Sequence, residues 1–192
     1  MNEFRKLPDK YEEPISVVIY KLIELTSNII TNKIHPNIIT SINILLRIYI
    51  IYNLKNKIYK YIPIYLIISC FLDYLDGYIA RKYNMITQLG DYLDHVGDTI
   101  FMLYIYYILI INLNDKYKNS ILVILFIFTI SCLFNIGCQE KYYQLNESQT
   151  LNILKNFCFS KKILNISKYF GMFSLHFFWG YILYNHNLYF KN

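Results

Sequence analysis

The chain has 192 residues, of which 55% are hydrophobic, 18% are aromatic and only 17% are charged. Soluble domains of this length are less apolar and more charged, so the composition indicates a membrane protein. The four cysteines show no Cys-x-x-Cys spacing, which excludes a disulfide-rich secreted module and predicts reduced, buried thiols. The net charge of +6 is spread over the ends of apolar segments, a pattern typical of headgroup contact and not of nucleic-acid binding.

A polar arm at the amino end leads into an amphipathic segment over residues 15–34. Apolar side chains repeat there at helical spacing, which predicts a helix lying in the membrane interface. A His-Pro-Asn sequence at 35–37 ends that helix, and Pro36 suits the first turn of the next one. We therefore divide the chain into a cytosolic arm with an interfacial helix, residues 1–35, and a membrane-embedded domain, residues 36–192.

Five apolar stretches of membrane-spanning length follow the arm, at residues 37–54, 61–80, 92–113, 120–138 and 169–189. A sixth stretch, 151–166, holds three lysines, and a lysine inside the bilayer costs roughly 2.5 to 3.5 kcal/mol, so we predict a surface helix there. The fold class is thus an all-α polytopic transmembrane helical bundle of five to six spans. The arm and the loops after the second and fourth spans carry 12 Lys and Arg, against 6 on the opposite side, which places the first group in the cytosol.

One window of the sequence differs from the rest in composition. Between Asp73 and Asp98 lie five of the seven Asp, three of the six Gly and the only Ala of the chain. Helical spacing puts the two aspartates of the second span on one face, and it puts Gly90, Asp94 and Asp98 on one face of the third span. An antiparallel hairpin of these two spans would bring four carboxylates together just inside the membrane boundary.

Such a group of carboxylates is expensive unless something neutralises it. Each unpaired carboxylate in the bilayer costs roughly 2.5 to 3.5 kcal/mol, and mutual repulsion adds to that cost. Divalent cations remove both penalties, and oxygen ligands without His or Cys favour Mg²⁺ or Mn²⁺ over Zn²⁺. Two such ions can hold both ends of a phosphoryl displacement, so we predict a site with two ions that acts on phosphate.

The window resembles the signature of the CDP-alcohol phosphatidyltransferase family, D-x2-D-G-x2-A-R-x8-G-x3-D-x3-D, which it matches at every fixed position. Members are integral membrane enzymes that transfer a phosphoalcohol from a CDP-linked donor to an acceptor hydroxyl and release CMP. The resemblance implies that Asp73, Asp76 and Asp94 hold metal ions on the CDP diphosphate. It also implies that Asp98 completes the metal site and acts as the base on the acceptor hydroxyl.

The resemblance implies roles for several substrate-binding residues as well. Gly77, Ala80 and Gly90 would make room for the cytidine, and Arg81 would lie beside the phosphates. Pro36 and Thr40 match the Pro-Asn-x-x-Thr sequence that opens the first span in many members. Arg47 lies on the same helical face as Thr40, and we expect it to contact a substrate phosphate or to form an ion pair with an aspartate. These predicted binding residues are Gly77, Ala80, Arg81, Gly90, Pro36, Thr40 and Arg47.

The donor and the acceptor remain open at this level. The short chain is similar to the branch of the family that uses CDP-diacylglycerol, which makes phospholipid synthesis with that donor the first expectation. Asp91 and His95 resemble the branch that transfers phosphocholine or phosphoethanolamine to diacylglycerol, and this is the alternative. A different alternative is a non-catalytic cation-binding scaffold derived from the family. The resemblance further implies a homodimer. The distribution of basic residues predicts an active site that faces the cytosol.

Overall fold

The computed structural model describes residues 4, 5, 7–27, 34–143, 148 and 150–191. Within these residues the chain forms an all-α bundle, and an isolated antiparallel bridge between Leu113 and Phe190 is the β feature that we find. The helices are α1 (Pro14–Ser27), α2 (Pro36–Lys55), α3 (Ile62–Lys82), α4 (Gln88–Asn112), α5 (Asp115–Tyr142), α6 (Leu164–Ser167), α7 (Met172–Tyr184) and α8 (His186–Tyr189).

Four helices, α2 to α5, are long and apolar enough to cross a membrane. They have 20, 21, 25 and 28 residues, compared with the roughly 20 residues that a bilayer requires. Large apolar side chains on their outer faces are exposed, as expected for surfaces that contact lipid, and examples from α2 are Ile38, Ile42, Leu45 and Ile48. The four corresponding sequence predictions are confirmed, with α5 extending further at both ends than residues 120–138.

The predicted fifth span, 169–189, is not one continuous helix. The structure divides it into a short turn at Lys168–Phe170, then α7 of 13 residues and α8 of 4. At 1.5 Å per residue α7 is about 20 Å long, less than the roughly 30 Å of a hydrocarbon core. The whole segment still runs the height of the bundle, because Phe190 pairs with Leu113 beyond the far end of α4.

Helix α7 fills the centre of the bundle and forms its main core. The fully buried Trp179 of α7 packs edge-on against Phe101 of α4, with ring centroids 6.4 Å apart. Around it lie buried side chains from four other helices, namely Ile50, Leu54, Ile62, Leu66, Ile105, Leu109, Ile121 and Leu125. This apolar core occupies the half of the bundle away from the aspartates.

The predicted surface helix over 151–166 is also divided. It consists of short turns at Asn152–Phe157 and Lys161–Ile163, followed by α6, because residues 158–160 are extended and Ser160 starts a new turn by accepting from the Lys162 amide. A disulfide joins Cys138 to Cys158, with Cα atoms 4.8 Å apart. The prediction of reduced thiols is therefore wrong for this pair, since α5 continues to Tyr142 and the next segment folds back on it; Cys70 and Cys132 are free and buried.

Helix α1 lies across α3 and presents two different faces. Ile19, Tyr20 and Ile23 are buried in an apolar cluster with α3. A second row of apolar side chains, at helical spacing, is exposed: Ile15, Val18, Leu22 and Leu25. The predicted helix over 15–34 is thus present from Pro14 to Ser27, and residues 28–33 lie outside the described residues. Its position in the membrane interface stays a prediction.

The close contact between α5 and the following turn generates the first testable prediction. A Cβ on Gly137 would overlap the Leu154 carbonyl oxygen, whereas a Cβ on Gly97 would have its nearest neighbour at 3.6 Å. We expect Gly137→Ala to lower the stability by about 1 to 3 kcal/mol, as overpacking does, and to lower the melting temperature in detergent. Gly97→Ala is the control and should be neutral or slightly stabilising, because Ala is the better helix former. Equal melting temperatures for the two variants would contradict the close packing.

Candidate active site

The predicted aspartates come together, but not through direct packing of α3 on α4. Asp73 and Asp76 lie in the second half of α3, and Asp94 and Asp98 lie in the first half of α4. The two helices touch each other little, and α2 packs against both of them. The two helices follow one another across the short loop at 83–87, and Asp73, Asp94 and Asp98 converge as expected, but close packing between the two helices is not the cause. The aspartate faces meet because α2 holds α3 and α4 side by side.

The side of α2 that faces the aspartates is polar, as predicted. Thr40, Asn43 and Arg47 are 4%, 0% and 5% exposed. The Thr40 hydroxyl donates to Asp76 Oδ2 at 2.6 Å, and the Ser69 hydroxyl of α3 donates to Asn43 Oδ1 at 2.7 Å. These bonds between α2 and α3 fix both the register of the two helices and the direction of the Asp76 side chain.

Arg47 joins all three helices at the base of the site. Its Nη2 lies 3.1 Å from Asp73 Oδ1 and forms a second ion pair with Asp98 Oδ1, and its Nε donates to Ser69 at 3.2 Å. One cation thus offsets part of the repulsion between carboxylates of α3 and α4. Of the two contacts expected for Arg47, the ion pair is present in the structure, and phosphate contact stays a prediction.

Three of the aspartates are close enough to share a cation. One carboxylate oxygen each of Asp73, Asp94 and Asp98 lies within 4.8 Å of the others. Asp94 Oδ1 is buried and has no hydrogen-bond partner, which is the state expected of a ligand atom. A set of carboxylate oxygens fits a hard divalent cation such as Mg²⁺ or Mn²⁺. Asp76 lies beside this group, and its Oδ2 accepts the hydrogen bond from the Thr40 hydroxyl.

A cavity of about 260 Å³ opens above these carboxylates. Most of the predicted site residues line it, namely Pro36, Thr40, Asp73, Asp76, Gly77, Ala80, Arg81, Gly90 and Asp94. Arg47 and Asp98 are outside that lining. Arg47 forms one ion pair with Asp73, which lines the cavity, and the other with Asp98. The far wall of the cavity consists of α5 and the start of α7, with Asn135, Gln139 and Met172.

Two glycines of the motif allow close contacts with neighbouring side chains. A Cβ on Gly77 would meet the Arg81 guanidinium at 3.4 Å, so Arg81 lies folded over the bare backbone of Gly77. Arg81 Nε also donates to the Phe4 carbonyl at 2.8 Å and thereby ties the amino-terminal arm to α3. A Cβ on Gly90 would come within 2.7 Å of Asn37 Oδ1, so this glycine also permits close packing of α4 on α2.

The geometry agrees with a comparison of the whole chain with family models. The CDP-alcohol phosphatidyltransferase model matches residues 33–179, which is well over half of the chain. The chain belongs to the CDP-alcohol phosphatidyltransferase family. Searches of curated proteins and of solved structures gave no match. The family assignment therefore rests on this match. The residues that the family motif identifies line the cavity of this transferase, with the exception of Asp98, which is joined to Asp73 through Arg47.

At the outer rim of the transferase cavity, α4 contacts the segment that follows α5. His95 Nδ1 lies 3.0 Å from Asp91 Oδ1 and 2.7 Å from the Thr150 hydroxyl, and Thr150 also donates to Asp91 Oδ2 at 3.0 Å. His95 thus has local hydrogen-bond partners, and it is not part of the group of three aspartates. The rim contact places Thr150 beside Asp91 and His95.

The opposite rim is closed by the amino-terminal arm through Glu13. Its carboxylate accepts from the Phe173 amide at 3.1 Å, from the Ser174 amide at 2.7 Å and from the Ser174 hydroxyl, so it caps the start of α7. A Cβ on Gly171 would lie 2.8 Å from the Glu13 carboxyl carbon, and this approach therefore requires glycine. Burial raises the pKa of Glu13 above its ordinary value, although the hydrogen bonds to Ser174, Phe173 and Ser16 oppose the rise.

Sequence reasoning did not find the arm, α5 and α7 as parts of this site. Glu12, Glu13, Asn135 and Gln139 all line the cavity, yet none of them belongs to a motif with recognisable spacing. The two glutamates directly before Pro14 are the feature of the sequence that could have indicated a cap, because an acidic residue before a helix often accepts hydrogen bonds from free amides at a helix start. This feature does not show that the helix start belongs to a helix about 160 residues away.

The contact between the arm and α7 can be tested by removing the cap. We expect Glu13→Ala to reduce the stability by about 1 kcal/mol, because two amides at the start of α7 lose their acceptor. Melting temperatures of the purified transferase in detergent measure this loss. Glu13→Gln should retain part of the stability through its amide oxygen. Asp9→Ala is the control, since that carboxylate is 63% exposed, and it should change the stability by less than about 0.5 kcal/mol.

Proposed function

We propose that this transferase moves a phosphatidyl group from CDP-diacylglycerol to an acceptor hydroxyl and releases CMP. The observation that carries the proposal is the group of Asp73, Asp94 and Asp98 oxygens at the base of a cavity that the rest of the family motif lines. The acceptor oxygen forms a bond to the phosphorus on the lipid side of the diphosphate. The bond between that phosphorus and the bridging oxygen breaks, and CMP leaves with the electron pair.

The residues of the chain divide this work among them. Gly77 and Ala80 offer backbone without large side chains against which the cytidine can lie, and Arg81 pairs with a phosphate of the donor. Asp98 accepts the proton of the acceptor hydroxyl. Arg47 holds Asp98 and Asp73 in position through its two ion pairs.

Metal ions complete the proposed site. Asp73, Asp76, Asp94 and Asp98 would hold two Mg²⁺ or Mn²⁺ ions, which when bound supply positive charge to the diphosphate. The arrangement of the cavity thus favours catalysis by positioning and by electrostatic stabilisation, as in other phosphoryl transfers.

A lipid donor suits the surroundings of the cavity. Helix α1 contributes Tyr20 to the cavity wall, and its row of exposed apolar side chains lies on the same short helix. We propose that this row rests in the membrane interface and that the acyl chains of the donor remain in the bilayer beside it. The polar head then reaches the aspartates without leaving the interface.

We further propose that the cavity faces the cytosol. The loops and the arm at this end carry 12 basic residues, twice the 6 at the other end. The disulfide between Cys138 and Cys158 argues in the other direction, since disulfides are rare in a reducing compartment. We give more weight to the basic residues, because they are distributed over the entire chain, whereas the disulfide is a single local feature. Labelling of Lys161 from one side of sealed vesicles measures the orientation directly.

One observation favours a second candidate function. The Asp91 carboxylate and the His95 ring lie 3.0 Å apart at the cavity rim, and both residues line the cavity. This pair matches the feature of the sequence that resembles the amino-alcohol branch, in which CDP-choline or CDP-ethanolamine reacts with diacylglycerol. CMP release from CDP-choline or CDP-ethanolamine with diacylglycerol, and none from CDP-diacylglycerol, would favour this candidate.

The aspartate roles predict a distinctive set of activities. We expect EDTA to abolish CMP release and added Mg²⁺ or Mn²⁺ to restore it. Asp98→Asn should keep donor binding largely intact, because Asp73, Asp76 and Asp94 still hold metal on the diphosphate, and it should lose at least about 100-fold in turnover, as expected for the loss of a general base. Asp73→Asn and Asp94→Asn should lose metal binding as well, measured as the absence of a Mg²⁺-dependent rise in melting temperature.

The control for the aspartate variants is Asp115→Asn. Asp115→Asn changes an exposed aspartate near the other end of the bundle and should leave activity unaltered. Comparable turnover in the three active-site variants would refute the assigned roles. Cation binding without CMP release from any CDP-alcohol would identify the chain as a non-catalytic scaffold.

A further inference from the structure

The charges around the cavity restrict the kind of acceptor that this site can take, and this inference rests on the proposed function. The donor side of the cavity is fixed by α2, α3 and the start of α4, where the motif lies. The acceptor must therefore approach from the wall formed by α5 and α7. In that wall the polar groups of the described residues are the neutral side chains of Asn135 and Gln139.

Cations are scarce around the whole cavity. Among the described residues that line it, Arg81 is the single Lys or Arg, and it lies on the donor side over Gly77. Carboxylates are abundant, since Glu12, Glu13 and Asp91 line the cavity in addition to the aspartates of the metal group. A phosphorylated acceptor would add a dianion to this wall without a cation to pair with it.

Three lysines at the end of α5 and after it contact other partners. Lys141 donates to the Cys158 carbonyl at 2.9 Å, and Lys168 donates to the Lys10 carbonyl at 2.8 Å. Lys161 lies over the Tyr143 ring, 4.6 Å from its centroid. None of the described lysines of this region is part of the cavity lining. They leave the acceptor wall without a positive charge.

A helix terminus could replace a lysine, but the one in this wall is already filled. The start of α7 borders the cavity at Gly171 and Met172, and its free amides would attract a phosphate. Glu13 accepts hydrogen bonds from two of those amides, those of Phe173 and Ser174. The Glu13 carboxylate thus occupies the position at the start of α7 where a phosphate would otherwise bind.

We infer that the acceptor is an alcohol without a phosphate group, recognised through neutral hydrogen bonds to Asn135 and Gln139. Asn135 is buried, and its Oδ1 accepts from the Ser167 hydroxyl at 3.2 Å, which fixes the side chain against α6. Its amide NH₂ group is a donor for hydroxyl oxygens. The wall is therefore suited to a polyol, an amino alcohol or a diacylglycerol hydroxyl, and unsuited to a sugar phosphate or glycerol phosphate.

The test uses the full chain in nanodiscs with Mg²⁺ and measures CMP release with paired acceptors. The pairs are inositol with inositol 1-phosphate and glycerol with glycerol 3-phosphate, both with CDP-diacylglycerol, and 1-acylglycerol with lysophosphatidate, with CDP-choline. Both members of each pair keep a free hydroxyl. In the pair that reacts, we expect the unphosphorylated member to have a kcat/KM at least about tenfold higher, the cost of one unmatched charged contact. An equal or higher kcat/KM for the phosphorylated member would overturn the inference.

A charge-insertion variant tests the acceptor wall itself. Gln139→Lys adds a cation to the wall, and it should lower the KM for the phosphorylated acceptor about tenfold while leaving the KM for the donor unchanged. Asn152→Lys is the matched control, because it adds the same charge to an exposed residue outside the cavity lining, and it should change neither KM. An equal effect of the two variants would overturn the role of the wall. CMP release with no acceptor at all would refute the transferase function itself, and is thereby distinguished from a wrong acceptor class.

Discussion

The constraint on which the rest of the structure depends is the closeness of several carboxylates within a membrane-embedded bundle. Asp73, Asp94 and Asp98 lie on two helices that hardly touch, and their oxygens still come within 4.8 Å of one another. Repulsion and desolvation would drive such groups apart unless positive charge lies between them. Arg47 supplies one charge from α2, and the family to which the chain belongs generally uses divalent metal for the remainder.

The surrounding architecture follows from that constraint. Helix α2 is polar along the side that faces the aspartates and apolar where it faces lipid, so it can carry Thr40, Asn43 and Arg47 into the bundle. Helix α7 supplies the apolar core in the other half, where Trp179 packs against Phe101. The division leaves a polar half with a cavity and an apolar half that is densely packed, and the first half depends on the second for rigidity.

Much of this arrangement could be predicted from sequence because it depends on local spacing. Intervals of three and four residues put each pair of aspartates on one helical face, and the polar face of α2 followed from the same rule. The sequence did not reveal that α2 packs against both α3 and α4, because spacing shows which way a side chain points and not which helix lies opposite. The broken helix at 169–189 was also missed, since high hydropathy is equally compatible with a buried core helix and with a span.

The parts of the site that the sequence did not reveal are those made by residues distant in the chain. Glu13 meets Ser174, Asp91 meets Thr150, and Arg81 meets the Phe4 carbonyl. None of these pairs has a spacing that a periodic pattern would detect, because each joins a loop or the arm to a helix end. The Cys138–Cys158 disulfide belongs to the same class, since it depends on the chain turning back after α5.

The ion pairs of Arg47 have a consequence for how the helices insert and assemble in a membrane. Because a side chain of the bundle neutralises part of its own acidic centre, the helices can assemble during insertion before any divalent cation arrives. Any divalent cation that the three aspartates hold would then be a later addition to a bundle that is already folded. Removal of such a cation would accordingly leave the folded bundle intact.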